Sequence, residues 1–296
     1  MDYAIEVCHL TKDYGNHKGI FDISFQIKKG SVVGFLGPNG AGKTTTIRHL
    51  LGFIYHHQGT AQIFEHDCFL EQVAIQKQIG YLPGEISFIE DLNGEQFIKF
   101  MAKMKKMNDL SYAHDLLTYL DLNPHQSIRK MSKGMKQKLG VVIAFMDKPD
   151  VLILDEPSTG LDPLMQQKLI DLILRHKNMG ATIFLSSHIF EEVEKTADRV
   201  LMIKNGVLVA DDTMEDLKAK RRKRFIATLD SEAEVSRLLA MNADAIKIGN
   251  QQVQIDSKGD INKMISDLSH FQVANLEVPT QSLEEIFMQY YGGEND

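Results

Sequence analysis

The sequence predicts an α/β layered fold followed by a smaller α+β unit, and three observations carry that expectation. Short apolar, β-rich runs alternate with amphipathic helical stretches as far as about residue 220. A glycine-rich loop joins one such run to a helix, and beyond the basic stretch Lys218-Ala219-Lys220-Arg221-Arg222-Lys223-Arg224 the order of elements changes. With 296 residues, 43% hydrophobic and 25% charged, the chain can bury a full core.

Four runs anchor the first unit: residues 31–36, 151–154, 182–185 and 200–203 are apolar and bounded by Gly, Asp or Ser, as strands covered on both faces should be. Asn205-Gly206 then reads as a tight hairpin turn. Between about Gly94 and Phe145 the strand signal vanishes. Phe97, Phe100, Met101 and Met104 recur at helical spacing after an Asn93 cap, which predicts an inserted helical subdomain whose Met and Phe stripe packs into a core. The basic run at 218–224 reads as a solvated linker. Beyond it the expected elements are strand 225–229, helix 232–239, strands 245–248 and 253–255, helix 261–268, strand 273–278 and helix 283–290. That βαββαβα order predicts a small ferredoxin-like domain.

Composition excludes several function classes. A net charge of −7 leaves no broad basic field, so nucleic acid is not expected as the main partner. Cys8 and Cys68, the two cysteines, sit in no CxxC or Cys/His cluster, which argues against a disulfide framework or a zinc site and fits a reducing compartment. His56, His57 and His66 have no ligand-like partners at fixed spacing and read as surface or packing residues. The longest apolar stretch, 139–146, falls far short of the roughly 18 residues of a membrane span, and no charged-then-apolar leader opens the chain. Any membrane role is therefore expected to come through a partner.

Gly37-Pro38-Asn39-Gly40-Ala41-Gly42-Lys43-Thr44 fits G-x-x-x-x-G-K-[ST], between the apolar 31–36 run and a helix begun by Thr44 and Thr45. Glycines let consecutive backbone N–H groups face one anion, and the helix N-terminus adds roughly half a positive charge. Lys43 supplies a mobile cation for β- and γ-phosphates, and the Thr44 hydroxyl can ligate Mg²⁺. The expected ligand is thus a nucleoside triphosphate with magnesium. Downstream, the run 151–154 ends in Asp155-Glu156-Pro157, so two carboxylates emerge at the carboxyl edge of a buried sheet. Asp155 is expected to hold the magnesium shell, and Glu156 to orient and polarise the attacking water as general base.

These residues, in this order, resemble the nucleotide-binding subunits of ATP-binding cassette (ABC) transporters over about the first 220 residues. Met131-Ser132-Lys133-Gly134-Met135 stands where that family places its signature loop, Ser158-Thr159-Gly160-Leu161-Asp162 matches its D-loop, His188 its switch histidine, and Tyr14 its adenine-stacking aromatic. The resemblance implies a P-loop NTPase fold with a RecA-like core, an antiparallel β subdomain and an inserted α-helical subdomain at about 85–147. It places an ATP-binding domain at 1–220 and an accessory domain at 221–296. It also implies ATP as ligand, with Ser132 and Gly134 of one subunit covering the γ-phosphate held by another in a two-fold dimer. Alone, Ser132 and Gly134 would read as an ordinary helix cap. The implied partners are a second copy, or a related ATPase subunit, and an integral membrane permease that holds the chain on the cytoplasmic face of the cell membrane.

The sequence departs from that pattern at two places. Ile79-Gly80-Tyr81-Leu82-Pro83 is followed by Gly84-Glu85 where a glutamine usually links magnesium to the transport partner, which makes Glu85 the candidate for that position. In the signature, Lys133 replaces a glycine and Met135 a glutamine. Together with Leu161-Asp162-Pro163 and the ending Ser282-Leu283-Glu284-Glu285-Ile286-Phe287, these variants resemble the branch that serves export-type membrane subunits in drug or antimicrobial efflux. The rival expectations are a regulatory, non-transport cassette ATPase and a P-loop kinase or GTPase.

Overall fold

Strands β1 (Tyr3–Asp13) and β2 (Gly19–Lys28) pair antiparallel, with Ile23, Phe25 and Ile27 of β2 buried between exposed neighbours in the period-two pattern of a sheet covered on one face. The computed structural model describes residues 2–219, 223–241, 245–257, 261–279, 282 and 284–286. Every residue of β3 (Val32–Leu36) is buried, as befits a strand between parallel neighbours. After helix α1 (Lys43–Leu50), strands β4 (Gln58–Ile63) and β5 (His66–Asp67) complete a four-stranded antiparallel sheet in the order β2-β1-β4-β5. The short helix α2 (Gln72–Ile75) then leads to β6 (Ile79–Leu82).

Three helices follow, α3 (Gly94–Met104), α4 (Ser111–Tyr119) and α5 (Lys133–Phe145). Asn93 caps α3 in a reciprocal box: its Oδ1 accepts from the Gln96 N–H at 2.8 Å, and Gln96 Oε1 accepts from the Asn93 N–H at 2.9 Å. The expected buried stripe is corrected here. Phe97 is buried, but Phe100 is 43% and Met104 69% exposed. The buried face runs through Gly94, Phe97, Ile98 and Ala102, at three- and four-residue spacing, so it is rotated away from Phe100 and Met104; a Cβ on Gly94 would come 3.0 Å from the Pro124 carbonyl oxygen. Helix α5 begins at Lys133 because Ser132 caps it, accepting from the Met135 N–H at 3.2 Å.

The chain then alternates β7 (Val151–Asp155), α6 (Pro163–Asn178), β8 (Thr182–Ser187), α7 (Phe190–Thr196), β9 (Arg199–Lys204) and β10 (Val207–Thr213). They build a six-stranded sheet in the order β10-β9-β3-β8-β7-β6, parallel except for β10. The β9–β10 hairpin turns on Asn205 and Gly206 at φ 49° and 81°, as Asn-Gly predicts. Phe25 of the antiparallel sheet stacks on Phe184 of β8 at 5.8 Å, and Phe35 meets Phe184 at 5.1 Å, so the two sheets share one aromatic core. Truncating such a ring typically costs about 3–5 kcal/mol.

The chain divides into two compact units, Met1–Met214 and Glu215–Asp296, with α8 (Met214–Ala219) at the division. In the second unit, β11 (Lys223–Leu229), α9 (Glu232–Met241), β12 (Ala245–Lys247), β13 (Gln252–Ser257), α10 (Ile261–Leu268) and β14 (Val273–Glu277) run in the expected order. Their antiparallel sheet, β12-β13-β11-β14, has the ferredoxin-like arrangement and its own core around Phe225, Val235, Leu238, Val253 and Ile255. The basic run is not the linker expected: Lys218 and Ala219 close α8, and Lys223 and Arg224 open β11, where Arg224 pairs with Glu285 at 3.3 Å. Lys220, Arg221 and Arg222 lie outside the described residues, as do Leu283 and 287–290 of the last expected helix; residues 284–286 are helical.

Candidate functional site

Parallel register gathers the candidate residues at one edge. Leu36 of β3 lies opposite Ser187 of β8, and Ser186 of β8 opposite Asp155 of β7. The loop after β3 and the carboxylates after β7 therefore leave the sheet side by side at its carboxyl end. Gly37 touches the neighbouring strand end so closely that a Cβ would stand 2.5 Å from the Ile203 carbonyl oxygen. Gly40 and Gly42 have φ of 80° and 115°, which glycine adopts readily and other residues rarely do. With Pro38, Asn39 and Ala41 these glycines curl into the N-terminus of α1, and the Gly206 N–H donates to the Ala41 carbonyl at 2.9 Å.

Lys43 is 6% exposed and folds back over this loop, donating to the Gly37 carbonyl at 2.6 Å and the Pro38 carbonyl at 3.3 Å. Its Nζ stands 3.5 Å from Glu156 Oε1. The Thr44 hydroxyl donates to Asp155 Oδ2 at 3.2 Å, while Thr45 contributes its carbonyl to the His49 ring at 2.8 Å. Asp155 is 3% exposed and has no ion-pair partner among the described residues. Burial pushes its carboxyl above the usual range, with the Ser186 and Thr44 hydroxyls pulling back. Two hard oxygens facing each other, one on a buried acid, are a donor set suited to magnesium.

Glu156 occupies the left-handed region at φ 53°, a conformation costing a non-glycine residue about 1–3 kcal/mol. Its N–H donates to the Ser186 carbonyl at 3.0 Å, which holds the strained turn, and its Oε2 meets His188 Nδ1 in a short hydrogen bond. His188 is otherwise largely exposed. Glu85 is exposed, yet its neighbour Gly84 packs on Asp155: a Cβ on Gly84 would lie 3.6 Å from Asp155 Oδ2. Tyr14 is 55% exposed on the β1–β2 turn, with Lys12 Nζ 5.7 Å from its ring centre. That turn adjoins the phosphate loop, since a Cβ on Gly42 would lie 3.3 Å from the Gly19 carbonyl oxygen.

Ser132 and Gly134 do not join this cluster. Among the described residues, no hydrogen bond links them to residues 37–44. Gly134 packs instead on the loop after β7, where a Cβ would stand 2.9 Å from the Gly160 carbonyl oxygen, and the Lys133 stem crosses Gly160. Asp162 caps α6, accepting from the Met165 N–H at 3.0 Å. His66 pairs with Glu71 at 2.9 Å, and no group of three or more His, Cys, Asp or Glu residues suited to a metal ion occurs among the described residues.

Four contributors escaped the sequence reading: Ser186, Ser187, Glu192 and Gln137. Ser186 donates to Asp155, Ser187 donates to the buried Glu192 together with Ser158, and Gln137 Nε2 donates to the Pro157 carbonyl at 2.8 Å. Two hydroxyls closing the otherwise apolar run 182–187 were a usable signal for the serines. Nothing local distinguishes Glu192 from its acidic neighbours Glu191 and Glu194.

Comparison with known proteins places this geometry. A family model described as ABC transporter matches residues 20–159. The bacitracin transport ATP-binding protein of Bacillus licheniformis is 32% identical, covering 99% of both chains. The linearmycin resistance ATP-binding protein of Bacillus subtilis is 30% identical over 96% of this chain and 97% of its own. A solved structure of an ATP-binding subunit of an ABC transporter superposes with a TM-score of 0.67 at 30% identity, covering 73% of this chain and 92% of that one.

Proposed function

This chain belongs to the ABC transporter family as an ATP-binding, ATP-hydrolysing subunit, and from that premise we propose that it is the motor of an exporter, driving a separate membrane permease by ATP-dependent pairing of two cassettes. The observation that carries the motor is the Thr44–Asp155 contact beside Lys43 and Glu156: a phosphate cradle, a hydroxyl–carboxylate pair suited to magnesium and a candidate base share one sheet edge. Support for export comes from the relatives named for bacitracin transport and linearmycin resistance, which match nearly end to end. No helix among the described residues is long and apolar enough to cross a membrane. A separate integral permease would supply the spans and hold this chain at the cytoplasmic face of the cell membrane.

Thr44 and Asp155 would hold magnesium, with Glu85 at the margin of its water shell; the bound ion would neutralise charge on the β- and γ-phosphates. Residues 37–43 grip the triphosphate through main-chain N–H groups and the Lys43 ammonium. Glu156 takes a proton from the attacking water, and His188 fixes the carboxylate through Nδ1, leaving Nε2 to face the γ-phosphate. Tyr14 offers its exposed ring to adenine.

Ser132 and Gly134 remain apart from the phosphate loop of their own chain, as a γ-phosphate contact supplied to a second subunit requires. The twin is a second copy or a related ATPase subunit, arranged about a two-fold axis. Affinity purification of the tagged full chain from detergent-solubilised membranes of its own host tests the proposal. An integral membrane protein with several apolar spans should co-purify; recovery of the chain without one removes the exporter reading.

A further inference from the structure

Glu192 lies in the first turn of α7, in the acidic run Glu191-Glu192-Val193-Glu194, where helix position alone would place a solvated carboxylate. It is 3% exposed instead. Oε1 accepts from the Ser158 hydroxyl at 2.5 Å, and Oε2 accepts from the Ser187 hydroxyl at 2.7 Å. Among the described residues no lysine or arginine pairs with it; burial pushes its carboxyl above the usual range, with the Ser158 and Ser187 hydroxyls pulling back. A buried carboxylate without a cation is a costly choice, and an apolar side chain of similar size would stabilise this position at least as well.

The placement of the two serines suggests what the carboxylate does. Ser158 follows Glu156 by two residues, on the loop that carries the candidate base. Ser187 immediately precedes His188, and its Oγ also accepts from the Ile189 N–H at 3.0 Å, which shapes the turn presenting the histidine. Each oxygen of Glu192 thus ties down one of the two loops whose tips meet in the Glu156–His188 hydrogen bond. We infer that Glu192 is a positioning residue for ATP hydrolysis: from beneath the site it fixes the spacing of the Glu156 and His188 loops. Among the described residues it makes no hydrogen bond to residues 37–44, 155 or 156. Both serines are donors in this arrangement, so the acceptor-only carboxylate fits in a way a glutamine, which must offer an N–H₂ to one of them, does not.

The inference rests on the roles proposed for Glu156 and His188. The test uses the full chain with Mg²⁺ and ATP, comparing wild type with Glu192→Gln, Glu192→Asp, Ser158→Ala and Ser187→Ala. Glu192→Gln should lower kcat between about tenfold and a hundredfold, with KM, ATP binding and thermal midpoint close to wild type. Glu192→Asp, keeping the charge on a shorter arm, should recover part of that loss. The two serine variants should each lower kcat, and combining either with Glu192→Gln should add little, as expected for members of one unit. A wild-type kcat in Glu192→Gln overturns the inference, as do losses confined to KM or tracking the thermal midpoint, or fully additive effects. Should Glu192→Gln fail to fold, wild-type kcat in both serine variants overturns it equally. Failure of the wild-type chain to hydrolyse ATP would instead strike the roles of Glu156 and His188.

Discussion

The ammonium of Lys43 stands between the phosphate loop and the candidate base, 2.6 Å from the Gly37 carbonyl oxygen and 3.5 Å from Glu156 Oε1. A triphosphate entering the loop would compete for this cation. Lys43→Ala should weaken ATP binding by about 2–4 kcal/mol, the scale of a lost charge-assisted bond. A binding titration checks this; undiminished affinity would exclude Lys43 from the phosphate site.

Glu156→Gln should retain ATP while stopping turnover, because the amide keeps the shape of the strained turn and loses the proton-accepting oxygen. With Mg²⁺ and ATP, the variant should elute as a dimer in size-exclusion chromatography and release phosphate at least about a hundredfold more slowly than wild type. An unchanged hydrolysis rate would show that another group activates the water.

His176 predicts a pH dependence of stability. It is 1% exposed, its Nε2 meets the Tyr112 hydroxyl at 2.8 Å, and the edge of Phe145 packs on its ring. Burial depresses its pKa to about 4. The unfolded chain binds this proton near pH 6.5 and the folded chain does not, so stability is full above about pH 6.5 and falls as pH drops toward 4. The loss attributable to this residue is about 3 kcal/mol across that window. Urea titrations at pH 7 and pH 4.5 should show a shallower decline in His176→Gln than in wild type; equal declines would exclude the histidine as the cause.

The second unit has its own sheet and core, so a chain ending at Ala219 should bind ATP with an affinity within about threefold of the full chain. Complete loss of binding in an otherwise folded truncation would show that the first unit does not stand alone.

How much of this was legible beforehand divides along a physical line. Contiguous features were readable: the apolar strands, the Asn205-Gly206 turn and the loop from Gly37 to Thr44 each fix local backbone by residue type. The Asn93 cap was readable for the same reason. What the sequence withheld depends on register between distant strands. Ser186 reaches Asp155 because β7 and β8 run parallel in one particular alignment, and Glu192 is buried because two loops close over it. The apolar stripe of α3 misled, since Phe100 and Met104 have the right spacing but the buried face is rotated away from them, through Gly94, Phe97, Ile98 and Ala102. Glu85 illustrates a mixed case: its position beside Asp155 follows from strand pairing, while its own side chain remains in solvent.

The bond from Gln137 to the Pro157 carbonyl has a mechanical meaning. Helix α5 carries Ser132 and Gly134 at its tip, and one turn in from that tip it is pinned to the residue that follows Glu156. One buried hydrogen bond thus ties the helix that begins beside Ser132 to the strand end that carries Glu156.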